Sequence, residues 1–411
     1  MALLKRCDEG KTMNGLDSWE SIYVCVGVAL CGGVVGRILT ALVPPLFCET
    51  TAPQIKRVQI RNCWEQMPII GTLFIKKNGP EKRLWSWIEI SAIAIGGGMA
   101  WWEIVARSQL PLEFLAHEQG APVLRVFAHL VLFGFMAAAT WSDLLHRVIP
   151  DAITVPGTLL GLVCVWAFPE ILLPIGCEQA RSYATPKLVL DVLGPAGGLH
   201  CVGMPDGYTA APQWMGLLMS LGFFFFWWVI CTVADARRAV LHDPRTWLLA
   251  AGAVFIVGAW WWGTEAFVSL ETSLIGVGVS MGLVLAVRSG ASHALGREAM
   301  GLGDATLMAT IGAWLGWQAG VIIFFMAAFI GLLWGTIQWL KYRGNELPYG
   351  PSLCLAAVAC VFFWRLVWYR VSEFFAEPIL LIGVVVVVVI ATTVTLMLYR
   401  MLGRGNASEK A

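Results

Sequence analysis

The sequence predicts an all-α, polytopic integral membrane protein, and three observations predict it. Of 411 residues, 58% are hydrophobic and only 13% charged, and the mean hydropathy is +0.72, far from the balance of a water-soluble domain. Mostly apolar runs of about 20 residues, the length that crosses a bilayer as a helix, recur along the chain. Lys and Arg gather in the short segments between those runs, as they do in membrane proteins of defined orientation.

Taken in order, the apolar runs place helices near 21–43, 84–106, 122–142, 150–169, 213–233, 246–263, 268–287, 304–318, 319–339, 350–369 and 378–399. That is about eleven spans, within a range of about 9 to 12. The division of 304–339 is open, because Gly316 to Gly320 reads either as a tight turn or as part of one bent helix. Residues 1–20 form a mixed-charge head. The first run, Ser21 to Val43, leads into Pro44-Pro45 without a small-residue cleavage site and reads as a retained span.

With the N-terminus outside, the inside segments receive Lys56, Arg57, Lys76, Lys77, Arg147, Arg237, Arg238, Arg288, Arg297, Lys341 and Arg400. An N-out, C-in orientation is therefore expected, with a basic cytoplasmic loop at 45–83 and an outside loop at 170–212. The formal net charge is +1 with no concentrated basic surface, so nucleic acid is not an expected partner and the lipid bilayer is. Eleven cysteines, most inside apolar runs, imply no disulfide framework. The six histidines are dispersed without metal-ligand spacing, so no metal site is expected.

The chemistry concentrates at two carboxylates. Asp304 stands at the mouth of an apolar run in Arg297-Glu298-Ala299-Met300-Gly301-Leu302-Gly303-Asp304, where an ionisable side chain is costly and usually functional. Gly301 and Gly303 remove side chains beside it and allow close approach of a substrate backbone or a partner helix. Asp143 lies where one run ends and the next begins, in Ser142-Asp143-Leu144-Leu145-His146-Arg147-Val148-Ile149-Pro150, on the same predicted side. Two carboxylates meeting at one depth can share a proton, one acting as base on water and the other as acid toward a peptide group. Glu298 and Thr306 are candidate supporting residues. The plainer readings are that Asp304 caps a helix, that Asp151 after Pro150 is first-turn chemistry, and that His146 is a solvated loop residue. Arg37 and Glu89 lie within runs but near enough to an end to snorkel.

These elements resemble the type IV prepilin leader peptidase family of GxGD membrane aspartyl proteases. The resemblance rests on Glu298 to Asp304 followed by Ile311-Gly312-Ala313-Trp314-Leu315-Gly316-Trp317, on Asp143 with Ile149-Pro150-Asp151 and Thr154-Val155-Pro156, and on Leu347-Pro348-Tyr349-Gly350-Pro351. Gln66-Met67-Pro68 and Glu89 match more loosely. It implies a multi-pass protease of the bacterial inner membrane whose active site faces the cytoplasm, with Asp143 and Asp304 catalytic. Its substrates would be prepilins of type IV pili or pseudopilins of type II secretion. Many members also methylate the new N-terminus with S-adenosylmethionine, whereas proteolysis itself needs no cofactor.

Three departures stand out. The bifunctional members carry two CxxC pairs in the first cytoplasmic loop, a spacing suited to zinc; this loop has Cys48 and Cys63 only, which argues against a family-type zinc site and weakens the methyltransferase expectation. Thr306 replaces a frequent Lys. The two aspartates are separated by an apparent insertion over 170–265. The expected organisation is thus a divergent N-terminal region within 21–106, a first-aspartate region over 107–169, the insertion, a GxGD region over 266–369, and a further span and tail over 370–411. Competing readings are a presenilin-like GxGD intramembrane protease, an ion-coupled transporter using the same carboxylates, and a non-catalytic scaffold.

Overall fold

The computed structural model describes residues 23, 25–29, 94–105, 109, 121–173, 213–233, 244–262, 264–296, 298, 300–342, 349–376 and 378–408. The described residues are helical with short connections and contain no strand. A π-helical turn, Trp101–Val105, precedes α1 (Ala121–His146), α2 (Asp151–Ala167), α3 (Gln213–Val233), α4 (Pro244–Trp262) and α5 (Thr264–Leu295). Then come α6 (Leu302–Tyr342), α7 (Gly350–Phe362), α8 (Trp364–Ala376) and α9 (Pro378–Ser408).

Among the described helices, the pair α5–α6 forms the centre and has the largest interface. Helices α2, α3 and α9 pack around α5, while α2 and α7 pack on α6 and α1 closes against α7. Small residues allow this approach: Gly276 and Gly312 face each other so closely that a Cβ on either would overlap the other's carbonyl oxygen. Lipid tails are as apolar as Leu, so membrane helices gain from close van der Waals packing of this kind rather than from escaping water. Ser273 of α5 adds a hydroxyl bond to the Ala313 carbonyl.

Among the described residues, three helical segments, Val123–Leu144, Phe267–Leu295 and Leu302–Ile337, are long and apolar enough to cross a bilayer, or four if α7 and α8 form one bent span. Shorter apolar helices lie at Asp151–Ala167, Gly216–Thr232, Trp247–Trp262 and Ile382–Leu398. Large side chains such as Phe329, Leu332, Trp334, Trp261 and Val387 point outward, giving a surface that lipid rather than water would solvate. Most of the run at 21–43, residues 84–93 and 106 of the run at 84–106, and the loop at 45–83 lie outside the described residues, as do Arg37, Cys48, Cys63, Gln66 to Pro68 and Glu89.

Two breaks refine the helices expected from hydropathy. The 304–339 stretch is one element interrupted at Gly316, whose φ of 82° and ψ of 174° no helix accommodates. Further on, the helix expected over 350–369 divides at Phe363 into α7 and α8, bent by 90°. The carbonyls exposed by that bend are satisfied at long range: Trp102 Nε1 donates to Phe362 O at 2.6 Å and Gln109 Nε2 to Val361 O at 3.1 Å. Beyond the bend, the stacked rings of Trp364 and Trp368 are buried while Leu366, Tyr369 and Arg370 turn outward, the pattern of a helix lying along a surface.

Candidate active site

Asp143 sits in the last turn of α1, and the residues after it fold the chain back sharply. Arg147 takes a left-handed conformation (φ 55°) and its amide donates to Asp143 O at 2.9 Å, closing the helix. The Ser142 hydroxyl donates to Val148 O, and Pro150, extended at ψ 143°, starts α2. The turn leaves Asp143 6% exposed and drives Ile149 into the protein. Asp143 then meets the start of α7: the Gly350 amide donates to its Oδ2 at 3.1 Å. Gly350 is the first residue of α7, so this N–H is one that the helix itself cannot satisfy, and the positive end of the helix dipole faces the carboxylate.

Asp304 is the third residue of α6 and 8% exposed. It accepts a hydrogen bond from the Gly301 amide and interacts electrostatically with Asp143. Ile149 is the spacer between the two: a Cβ on Gly303 would fall 2.9 Å from Ile149 O, and one on Gly350 would fall 3.0 Å from Ile149 Cδ1 and 2.6 Å from Asp143 Oδ2. The two glycines therefore permit the close approach that brings α1, α6 and α7 around one point. Cys354, one turn into α7, lies in the field of both carboxylates.

The depth of Asp304 is fixed by a ladder between α2 and α6. Thr306 Oγ1 accepts from Thr154 Oγ1 at 3.2 Å, Thr310 Oγ1 and Thr158 Oγ1 are 2.9 Å apart, and Trp314 Nε1 donates to Gly157 O at 2.9 Å. Positions 306, 310 and 314 repeat every four residues and so line one face of α6. Thr306 itself bonds Gly303 O and Thr154, so the structure gives it a place in the helix contact. Glu298 is likewise turned elsewhere: its side chain is 87% exposed and meets Arg288 Nη2 at 3.3 Å. Arg288 Nε also donates to Met300 O at 2.7 Å, so this arginine holds the segment that leads into Asp304. His146 is exposed and Asp151 opens α2 in its first turn.

Tyr349 enters the sequence reading only within the Leu347 to Pro351 motif, without a role of its own; it immediately precedes α7 and packs its ring against Gly331 of α6. Burial, and then the negative charge of Asp304, push its phenol well above the usual range, so the hydroxyl stays protonated within the field of Asp304. Three further buried groups lie in spans that the sequence reading treated as apolar. His129 Nδ1 is 2.9 Å from Glu103 Oε1, with Glu103 Oε2 and His129 Nε2 lacking hydrogen-bond partners. Both carboxylate oxygens of Glu271 on α5 also lack partners. Ionisable residues inside spans were the signal that could have found all three. Among the described residues, no three His, Cys, Asp or Glu side chains gather at metal-binding distance.

Comparison with known proteins reaches one of the two carboxylates, Asp304. A sequence model of the type IV leader peptidase family matches residues 222–336, a segment that opens in α3 and contains Asp304 and its loop. The chain is 34% identical over 190 residues to a prepilin leader peptidase/N-methyltransferase of Pectobacterium carotovorum subsp. carotovorum, covering 44% of this chain and 61% of that relative. With the protein of the same description from Aeromonas hydrophila it shares 32% identity over 188 residues, 44% of this chain and 59% of the relative. With that from Dickeya chrysanthemi it shares 36% over 148 residues, 34% and 48% respectively. The chain thus spans about three-fifths of the length of the first two relatives. No solved structure matches it. The segment that carries Asp304 is thus similar in sequence to the type IV leader peptidase family.

Proposed function

We propose that the protein is a prepilin leader peptidase, a membrane aspartic endopeptidase that removes the N-terminal leader of type IV prepilins or type II secretion pseudopilins. The observation that supports this most is the meeting of two buried carboxylates from different helices, Asp143 and Asp304, at the start of α7. In this reading one carboxylate takes a proton from water as the water oxygen bonds to the scissile carbonyl carbon. The other, protonated, gives its proton to the carbonyl oxygen, and the tetrahedral species collapses with the proton returned to the leaving amine. The Gly350 amide orients Asp143, and the Tyr349 hydroxyl is a donor available to the developing oxyanion. The hydrophobic segment of the substrate would lie between helices beside the pair.

The same proposal includes an inner-membrane protein of about eleven spans, N-out and C-in, with the carboxylates facing the cytoplasm. Residues 170–265 would separate the two aspartate-bearing regions. N-methyltransferase is part of the relatives' description; for this chain methyl transfer, with S-adenosylmethionine as donor, is a separate expectation, tied to the 45–83 loop with its two cysteines.

Co-expression with a prepilin-type substrate tests the reading. Wild type is expected to shorten the substrate, while Asp143→Asn and Asp304→Asn, reaching the membrane in equal amounts, each lower cleavage by at least roughly 10²- to 10⁴-fold, the range of an acid–base group. Undiminished cleavage by either variant would remove that aspartate from the mechanism. The mass of the new N-terminus reports methylation independently. If neither version cleaves and ion-coupled uptake is lost with the aspartates, the transporter reading takes its place.

A further inference from the structure

The segment between α5 and α6 must deliver Asp304 at a fixed depth, yet it begins with a glycine in the left-handed region, Gly296 at φ 68°. Gly296 is the residue just past the end of α5, and its amide donates to Ser292 O at 2.9 Å. Like every helix end, α5 leaves its last carbonyls without intrahelical donors. One of them is met from outside: Arg400 of α9 donates from Nη1 to Ala294 O at 3.1 Å. The same guanidinium lies flat over Gly296, with Nη1, Nη2 and Cζ 2.9–3.0 Å from where a Cβ would stand. Helix α9 is held against α5 a few turns away, where Thr393 packs directly on Gly290.

An arginine two residues beyond the apolar segment Ile382–Leu398 could simply reach for the headgroups. Here it is turned inward and is half-buried. Together with Arg288, which holds Met300 O, it fixes both ends of the connection to Asp304.

We propose that Arg400 is a positioning residue for Asp304. By capping α5 and covering Gly296, it sets the direction in which the chain enters α6, and so the place of the carboxylate opposite Asp143. The inference rests on the peptidase reading of Asp304, and it extends the working machinery to a helix outside the family-matched segment 222–336.

The test uses the full chain in membranes, with Arg400→Ala, Arg400→Lys and, as a control on the same helix interface, Thr393→Val. Arg400→Ala is expected to lower kcat for a prepilin-type substrate by roughly 10- to 100-fold, the effect of misplacing a reacting group by about an ångström, with KM nearly unchanged. Lysine, which can still donate to Ala294 O, should restore most of the rate, and Thr393→Val should leave it near wild type. Hydrogen–deuterium exchange should show the Gly296 amide exchanging faster in Arg400→Ala only. Unchanged exchange at Gly296 in Arg400→Ala overturns the proposal, as does an equal loss in all three variants, which would make Arg400 a packing residue. Failure of wild type to cleave any prepilin-type substrate sinks the peptidase reading instead, and the exchange experiment still decides whether Arg400 anchors the segment.

Discussion

Gly350 carries more of the site than its size suggests, because its amide binds Asp143 and its missing side chain leaves room for the carboxylate. An added methyl would stand 2.6 Å from Asp143 Oδ2, closer than real Cβ atoms come, so either the carboxylate or the start of α7 must shift. Gly350→Ala is therefore expected to cut the cleavage rate by roughly 100-fold while the protein still reaches the membrane; single-turnover rates at equal membrane amounts check it. The neighbouring Tyr349 offers a pH signature. Its phenol has an ordinary value of 10.0 and is pushed upward by burial and by Asp304, so above that value the unfolded chain releases a proton that the folded chain keeps. Its contribution to stability is fully present below pH 10.0 and is lost as pH rises further. Tyr349→Phe keeps the ring against Gly331 and removes this dependence. Its thermal midpoint in detergent should fall less than that of wild type when pH is raised into this range, and parallel falls would exclude the hydroxyl as the source.

At the scale of elements, the turn from α1 to α2 and the hydroxyl ladder from α2 to α6 set where the two carboxylates meet. Arg147 occupies left-handed backbone at the turn, which costs an L-residue about 1–2 kcal/mol. Arg147→Gly should recover up to about 1 kcal/mol and raise the thermal midpoint without lowering cleavage. A lowered midpoint would mean that the guanidinium makes a contact of greater value. The ladder works in the opposite sense: Thr306→Val is nearly isosteric but leaves the buried Thr154 hydroxyl without its acceptor, for an expected loss of about 1–3 kcal/mol. Much of this level was legible in the sequence. The run expected at 213–233 coincides with α3, and Asp304 was marked by its glycines and by the cost of a carboxylate at a helix mouth. The bend at Phe363 was not legible, because the side chains that satisfy its carbonyls, Trp102 and Gln109, lie 260 and 252 residues away in sequence. Hydropathy over a window also cannot register Thr306 and Thr154 as partners, since a hydroxyl that bonds across helices has the same composition as one that bonds within its own. For the same reason Thr306 read as a neighbour of Asp304 by sequence distance, when its face of α6 belongs to α2.

For the whole molecule, the bilayer replaces water as the reference, and that decides what the outward-facing residues mean. Trp262, 85% exposed at the end of α4, would be a liability in water but suits the headgroup region, where an aromatic ring keeps one edge apolar and the other wet. Glu298, just beyond the opposite end of α5, has an 87% exposed side chain and meets Arg288. Helix α5, at 32 residues and about 1.5 Å of rise each, is long enough to place these two positions on opposite faces of a membrane. The proposed orientation puts Glu298 in the cytoplasm and Trp262 outside. Single cysteines at these positions, in a background with the native cysteines replaced, should separate cleanly toward a membrane-impermeant maleimide. Trp262→Cys should react in intact spheroplasts, and Glu298→Cys only in inverted vesicles. Reversal of both would turn the carboxylates to the outer face, where a basic cytoplasmic leader could not reach them, and the proposed substrate would have to be abandoned. Labelling of both from one side would instead mean that α5 does not cross, which its length and its burial between α3, α6 and α9 argue against.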